Sequence, residues 1–342
     1  MSLFNNAILE EIRRCEHDIE IEDVPAIQEE FIQHINKFCS DSARKVFYEI
    51  DQHEKPDQNQ VVSESLISRV VIIGDIHCDF ESLKRILLKL SESSYPYFEQ
   101  ATFIFLGDYI DRGALPLQTL RLLFAIKELL GPRCIFLKGN HDSIFFDTEN
   151  HLFYSKVKPA ETVDLFNEYF QEETLLKFKE FFEILPFFVL INSSKKKYFL
   201  VHGGITKDRY LSQTSLDDLR NLTLPLNLAD HNISVQYHLL NNLLWGDPAD
   251  AKVKVNDTSS RFEFGEEQFL AFKEKINFTH MIRGHEPKAK GFEAMYDDQL
   301  FTVFSTGGKG NTNSFYEEMV PDPAFAVIHE DGSLHCEHFF NG

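Results

Sequence analysis

The 342-residue chain has no glycine before Gly74, and no apolar run in it approaches the roughly 18 to 20 residues that a membrane-crossing helix needs. The first lack marks the opening segment as helical rather than turn-rich, and the second argues against a transmembrane segment. Basic residues are also scarce. Against 54 Asp and Glu stand 34 Lys and Arg, a net charge of -20, so the bulk surface repels phosphate backbones and anionic lipid. Nucleic acid is therefore not expected as the main partner, and an anionic substrate would need a site that concentrates positive charge locally. The cysteines are few and scattered (Cys15, Cys39, Cys78, Cys134, Cys336), with no Cys-x-x-Cys pair, which argues against structural zinc and for free thiols in a reducing compartment. The opening "MSLFNNAILEEIRRCEHDIE" is charged within its first dozen residues and does not read as a signal peptide. The expectation is a cytoplasmic protein. A bacterial protein exported to a host cell without an N-terminal signal would look the same.

What is present is apolar bulk: 43% hydrophobic residues, 33 of them Phe, enough for a large core without covalent staples. Ile27, Phe31, Ile32, Ile35 and Phe38 recur at helical spacing, and the polar stretch "DQHEKPDQNQ" at 51–60 reads as a linker. These features divide the chain into a helical N-terminal extension over 1–60 and a second unit over 61–342. In the latter, "RVVIIGDIHCD", "ATFIFLGDYIDRG", "RCIFLKGNHD", "KKYFLVHGG" and "THMIRGHE" each run from a short apolar strand into a polar cluster. Helical patterns lie between the first three, giving a β-α-β-α-β series with a site at the C-terminal ends of its strands. The stripe of apolar residues in 160–185 reads as helices on a core, and "PAFAVIHEDGSLHCEHF" as a hairpin turning at Asp331 and Gly332.

The strand-end clusters contain Asp75, His77, Asp108, Asp111, Arg112, Asn140, His141, His202 and His285. Carboxylates, imidazoles and an amide oxygen suit Mn²⁺, Fe or Zn²⁺, and they outnumber the ligands of one tetrahedral ion. Two-metal hydrolysis needs such a set: ions sharing a bridging carboxylate and a bridging hydroxide that attacks phosphorus in line. It also uses a guanidinium that grips phosphoryl oxygens and an imidazole that protonates the leaving alkoxide. In "KGNHD", Asn140 and His141 would point to opposite faces of an extended segment, so both serve one site only if the chain turns there.

The motifs "GDIH", "GDYIDRG", "GNHD", "HGG", "LLWGDP" and "RGHE", in this order over about 69–340, resemble the metal-dependent phosphoprotein phosphatases, a branch of the calcineurin-like metallophosphoesterases, and within it a bacterial-type member. The resemblance implies an α/β fold, a two-sheet β-sandwich flanked by helices, and makes 61–342 the catalytic domain. It also implies two divalent metal ions, Mn²⁺ foremost with Fe or Zn as alternatives. Asp75, His77 and Asp108 would hold the first ion, and Asp108, Asn140, His202 and His285 the second. His141 would be the general acid, Asp111 its orienting carboxylate, and Arg112 the phosphate clamp. Arg261 stands a few residues later than the family's second clamp. The expected substrate is a phosphoprotein, hydrolysed at phosphoserine or phosphothreonine. Symmetrical diadenosine tetraphosphate hydrolysis and phosphotyrosine hydrolysis are the alternatives.

Three departures stand out. Cys78 and Asp79 replace the usual glycine and glutamine, and Asp79 is expected to add negative charge near the site. Asp142 replaces a glutamate. "FSTGGKGNTNSFY" replaces a loop carrying a substrate-facing tyrosine. "HCDFESLKR" superficially matches the signature of cysteine-dependent tyrosine phosphatases, but Arg85 is one residue late and the loop has no glycine to cradle an anion. A degenerate, non-catalytic scaffold would have lost a ligand, and none is lost.

Overall fold

Val70–Ile73 is apolar at all four positions because both of its faces are buried. Val70 and Ile72 point toward a second sheet, joining Ile104, Val189, Ile191, Leu200, Ile282 and Val303 in one cluster. Val71 and Ile73 point the other way, onto Leu83, Leu87 and Leu120 of the covering helices. The period of two along the strand thus builds two cores at once. This computed structural model describes residues 3–41, 44–51, 69–193, 195–213, 215–226, 234–250 and 262–340.

One sheet has five strands in the order Leu334–His338, Ala324–Ile328, Val70–Ile73, Thr102–Phe105 and Cys134–Phe136. The last three are parallel, joined by helices Phe80–Ser91 and Pro116–Leu130 as the β-α-β-α-β reading requires. The hairpin at Asp331 and Gly332 is there too, with Ala324–Ile328 antiparallel to Leu334–His338. The second sheet has six strands: Phe47–Asp51, Phe188–Asn192, Lys197–Val201, His280–Arg283, Leu300–Val303 and Phe292–Met295. Helix Glu266–Ile276 covers its outer face, with Phe272 edge-on to Phe199 at 5.4 Å. The fold is the expected two-sheet sandwich flanked by helices. All five cysteines are free thiols. Among the described residues no helix is long and apolar enough to cross a membrane.

The N-terminal segment holds helices Leu3–Cys15 and Val24–Asp41, and also a strand that its helical reading did not anticipate. Phe47–Asp51 pairs in parallel with Phe188–Asn192 at the edge of the six-stranded sheet. The proposed boundary at 60 lies outside the described residues. Ile27, Phe31, Ile35 and Phe38 are buried, and the Phe31 ring meets Phe124, Phe170 and Phe178 at 5.9, 6.0 and 5.1 Å. Gln28 Oε1 accepts from Gln171 N (2.7 Å) and Thr174 Oγ1 (2.9 Å), so the contact is polar as well as apolar. Truncating Phe31 empties the middle of this aromatic cluster. Phe31→Ala is expected to cost about 3–5 kcal/mol of folding stability, read as a lower denaturation midpoint. A cost below about 1 kcal/mol would mean that the N-terminal helices are not part of the folded unit's core.

Candidate metal centre

The ends of Val70–Ile73, Thr102–Phe105 and Cys134–Phe136, from one sheet, and of Lys197–Val201 and His280–Arg283, from the other, meet where Asp75 bridges in parallel to Phe304. The backbone there is bent hard. His77, Cys78, Asp108, Asp111, Arg112 and His285 all have φ between 45° and 73°, a left-handed conformation costly for residues with a Cβ and concentrated at functional sites. Two glycines let the loops close up. Gly107 has φ 106°, and a Cβ on it would strike Gly139; a Cβ on Gly139 would strike Asp108. Asp142 fastens the two loops, accepting from Asp108 N and Gly139 N at 2.8 Å each and from Tyr109 N at 3.1 Å. Burial, with the Asp108 carboxylate next in effect, pushes Asp142 up to about 6.

Asp108 is the hub. Its Oδ2 lies 3.4 Å from His77 Nε2 on one side and 3.4 Å from His202 Nε2 on the other. Two groups of metal-capable atoms share it, one formed with His77 and His141 and the other with His202 and His285, each spanning no more than 4.8 Å. Both inner histidines are oriented by backbone: His77 Nδ1 faces Ile110 O at 2.9 Å and His202 Nδ1 faces Leu106 O at 3.0 Å. Each Nε2 is thereby turned toward the carboxylates, as a metal-binding imidazole requires. Asp75 Oδ2, 3.6 Å from His77 Nε2, is buried with no hydrogen-bond partner, while its Oδ1 accepts from His285 N at 2.8 Å. A buried carboxylate oxygen without a donor is costly in an apolar interior, and a cation would remove that cost.

Asn140 Oδ1 sits 2.8 Å from His202 Nε2, and His285 Nδ1 sits 3.1 Å from the same atom. The structure therefore brings together Asp75, His77 and Asp108, and likewise Asp108, Asn140, His202 and His285. Asp247, within "LLWGDP", lies 3.6 Å from His285 Nε2 and is itself held by buried Arg283 at 3.0 Å. The sequence displays that motif but gives no hint that it places a carboxylate beside His285.

The electrostatics favour positive charge. Burial opposes a charge on Asp108, yet His202, His141 and His77 hold its carboxyl well below the usual range. Burial also opposes protonation of His77, yet Asp75 and Asp108 lift it to about 9. A divalent cation would displace such protons, so the donor set and its field both fit a metal.

Beside this cluster the chain turns at Asn140, where Ser143 N donates to Asn140 O at 3.3 Å. The turn separates the neighbours as the sequence requires: Asn140 faces His202, and His141 Nδ1 faces Asp111 Oδ2 at 2.7 Å. Asp111 Oδ1 accepts from Thr162 N at 3.1 Å, a support with no sequence signal because Thr162 is remote. Arg112 lies at the rim with its Nε buried and without a hydrogen-bond partner, and its guanidinium is 5.1 Å from the Phe315 ring. Arg261 lies outside the described residues.

Two readings of the departures change. Asp79 does not face the site; it is fully buried and engaged by Ser82, Thr306, Gly307 and Asn311. The altered loop also supplies a tyrosine of its own, Tyr316, whose ring lies 5.4 Å from that of His77. Cys78 is buried, 3.4 Å from Thr162 Oγ1, and burial pushes its thiol far up, which is opposite to what a thiolate nucleophile needs.

The sequence pattern of the calcineurin-like phosphoesterases matches residues 68–289. A serine/threonine-protein phosphatase of Caenorhabditis elegans is 28% identical over 237 residues, 69% of this chain and 47% of that protein. The chain thus spans about half the length of this curated relative. A solved protein serine/threonine phosphatase from Saccharomyces cerevisiae superposes with a TM-score of 0.64 at 20% identity, covering 96% of this chain and 92% of that one. The cold-active protein-tyrosine phosphatase of a psychrophilic Shewanella species gives 0.52 at 16% identity, with 84% and 89% covered. At these identities the two structures share the fold.

Proposed function

The chain belongs to the calcineurin-like phosphoesterases, and on that premise we propose that it is a phosphoprotein phosphatase cleaving phosphoserine and phosphothreonine monoesters at a dinuclear metal site. The observation that carries this reading is Asp108, shared by two ligand clusters, with the His141–Asp111 pair alongside. Asp75, His77 and Asp108 would hold one ion and Asp108, Asn140, His202 and His285 the other, Mn²⁺ being the expected metal with Fe or Zn as alternatives. Divalent ions held there would supply an activated water at neutral pH and offset phosphoryl charge. Arg112 grips the phosphoryl oxygens from the rim with its guanidinium, which lies 5.1 Å from the Phe315 ring. His141, directed by Asp111, gives a proton to the departing serine or threonine oxygen. The likeness to the nematode serine/threonine-protein phosphatase supports the substrate class.

The test is turnover with Mn²⁺ on phosphoserine, phosphothreonine and phosphotyrosine peptides and on diadenosine tetraphosphate, side by side. The expected order puts phosphoserine and phosphothreonine at least about tenfold ahead in kcat/KM, a difference of about 1.4 kcal/mol in transition-state binding. A preference for the dinucleotide would overturn the substrate class and leave the metal centre standing.

A further inference from the structure

Asp79 and the altered loop, two separate departures in the sequence, are in contact in the fold. The fully buried Asp79 carboxylate accepts from Ser82 N at 3.0 Å and Ser82 Oγ at 2.6 Å, which caps helix Phe80–Ser91. Its other donors all belong to the loop: Thr306 Oγ1 at 2.7 Å, Gly307 N at 3.2 Å, and Asn311 Nδ2 at 2.9 and 3.0 Å from its two oxygens. Capping alone does not require a charged, fully buried residue, since Ser or Asn caps equally well. What the carboxylate adds is a set of charge-assisted bonds to a segment more than 220 positions away.

That segment leads directly to the site. Thr306 Oγ1 meets Ser314 Oγ at 2.9 Å, and Asn313 O accepts from Ala114 N at 3.0 Å, two residues beyond Arg112. Next comes Phe315, 54% exposed, whose ring carries the Arg112 guanidinium at 5.1 Å. An exposed phenylalanine is held in that place by the loop, whose buried Tyr316 ring lies 5.2 Å from its own. A free arginine at the rim would lose rotamer freedom on gripping phosphate, and an aromatic face removes part of that loss beforehand.

Resting on the phosphatase reading above, we infer that Asp79 is a positioning residue for phosphate binding: it fixes the 306–314 turn so that Phe315 holds Arg112 ready. The test uses the full metal-loaded chain, p-nitrophenyl phosphate as substrate and inorganic phosphate as competitive inhibitor. Phe315→Ala is expected to raise both KM and the phosphate inhibition constant about 2- to 10-fold, with a smaller change in kcat. Phe315→Trp, which keeps a ring under the guanidinium, restores both. Asp79→Asn raises the inhibition constant to the same degree, and the Asp79→Asn/Phe315→Ala double variant goes no further, because both act through Arg112. Asn311→Ala, which cuts loop bonds while sparing the helix cap, carries the same expectation should Asp79→Asn not fold. If Asn311→Ala and Asp79→Asn lower Tm but keep the wild-type inhibition constant, or if the double variant's effects multiply, the positioning role is overturned. A wild-type chain that neither hydrolyses the ester nor binds phosphate overturns the phosphatase reading instead.

Discussion

Asp108→Asn is expected to remove bound metal and activity together. The fold should survive, because Asp108 has φ 55°, a left-handed backbone that asparagine adopts at least as readily as aspartate. Asparagine can also keep the acceptor for His141 N, which now meets Oδ1 at 2.9 Å. What changes is the other atom. The oxygen that stands 3.4 Å from both His77 Nε2 and His202 Nε2 becomes a neutral amide group at the point shared by the two ligand clusters. An amide lacks the charge of a carboxylate, so the two residue groups that share Asp108 would hold cations far less tightly, and the water activation that such ions would supply would go with them. Turnover should fall by roughly three orders or more. Elemental analysis of the purified variant should show depleted metal, while its circular dichroism stays near wild type and its melting near that of the metal-stripped wild-type chain. A variant that keeps its metal and more than about a tenth of its rate would sink the bridging role, since that loss is only about 1.4 kcal/mol.

The features behind that expectation are local and therefore legible in sequence. Each expected ligand follows a short apolar strand within one to four residues, so a run such as "VVIIGDIH" carries the strand, its end and its candidate ligands together. The turn that divides Asn140 from His141 is equally local. What escaped the sequence depends on distant partners. Phe47–Asp51 reads as one more short segment after a helix until Phe188–Asn192, about 140 positions later, offers it an edge. Asp79 looks like a charge added to the site because its neighbours His77 and Cys78 are there. Only the fold turns it toward Thr306 and Asn311. Thr162 under Asp111, Asp247 beside His285 and Phe315 under Arg112 are likewise pairings across loops, invisible to periodicity and spacing.

His141→Ala is the second large effect, and it separates two roles that the geometry places close together. His141 lies in one ligand group with His77 and Asp108, and its ring is 4.9 Å from that of His77, so it is near enough to be a ligand. Its Nδ1, however, is committed to Asp111 Oδ2 at 2.7 Å, and Asp111 is anchored on Thr162, which is the arrangement of an oriented proton carrier. The substitution leaves the backbone bond from His141 N to Asp108 in place, so the hub keeps its shape. Loss of a general acid should lower kcat on a phosphoserine peptide by about two to four orders. On p-nitrophenyl phosphate, whose leaving group needs little protonation, the loss should be far smaller. Asp111→Asn should fall between, since it loosens the imidazole without removing it. Metal content decides the matter: unchanged metal with the leaving-group-dependent loss identifies a proton donor, whereas loss of an ion with equal damage on both substrates makes His141 a ligand.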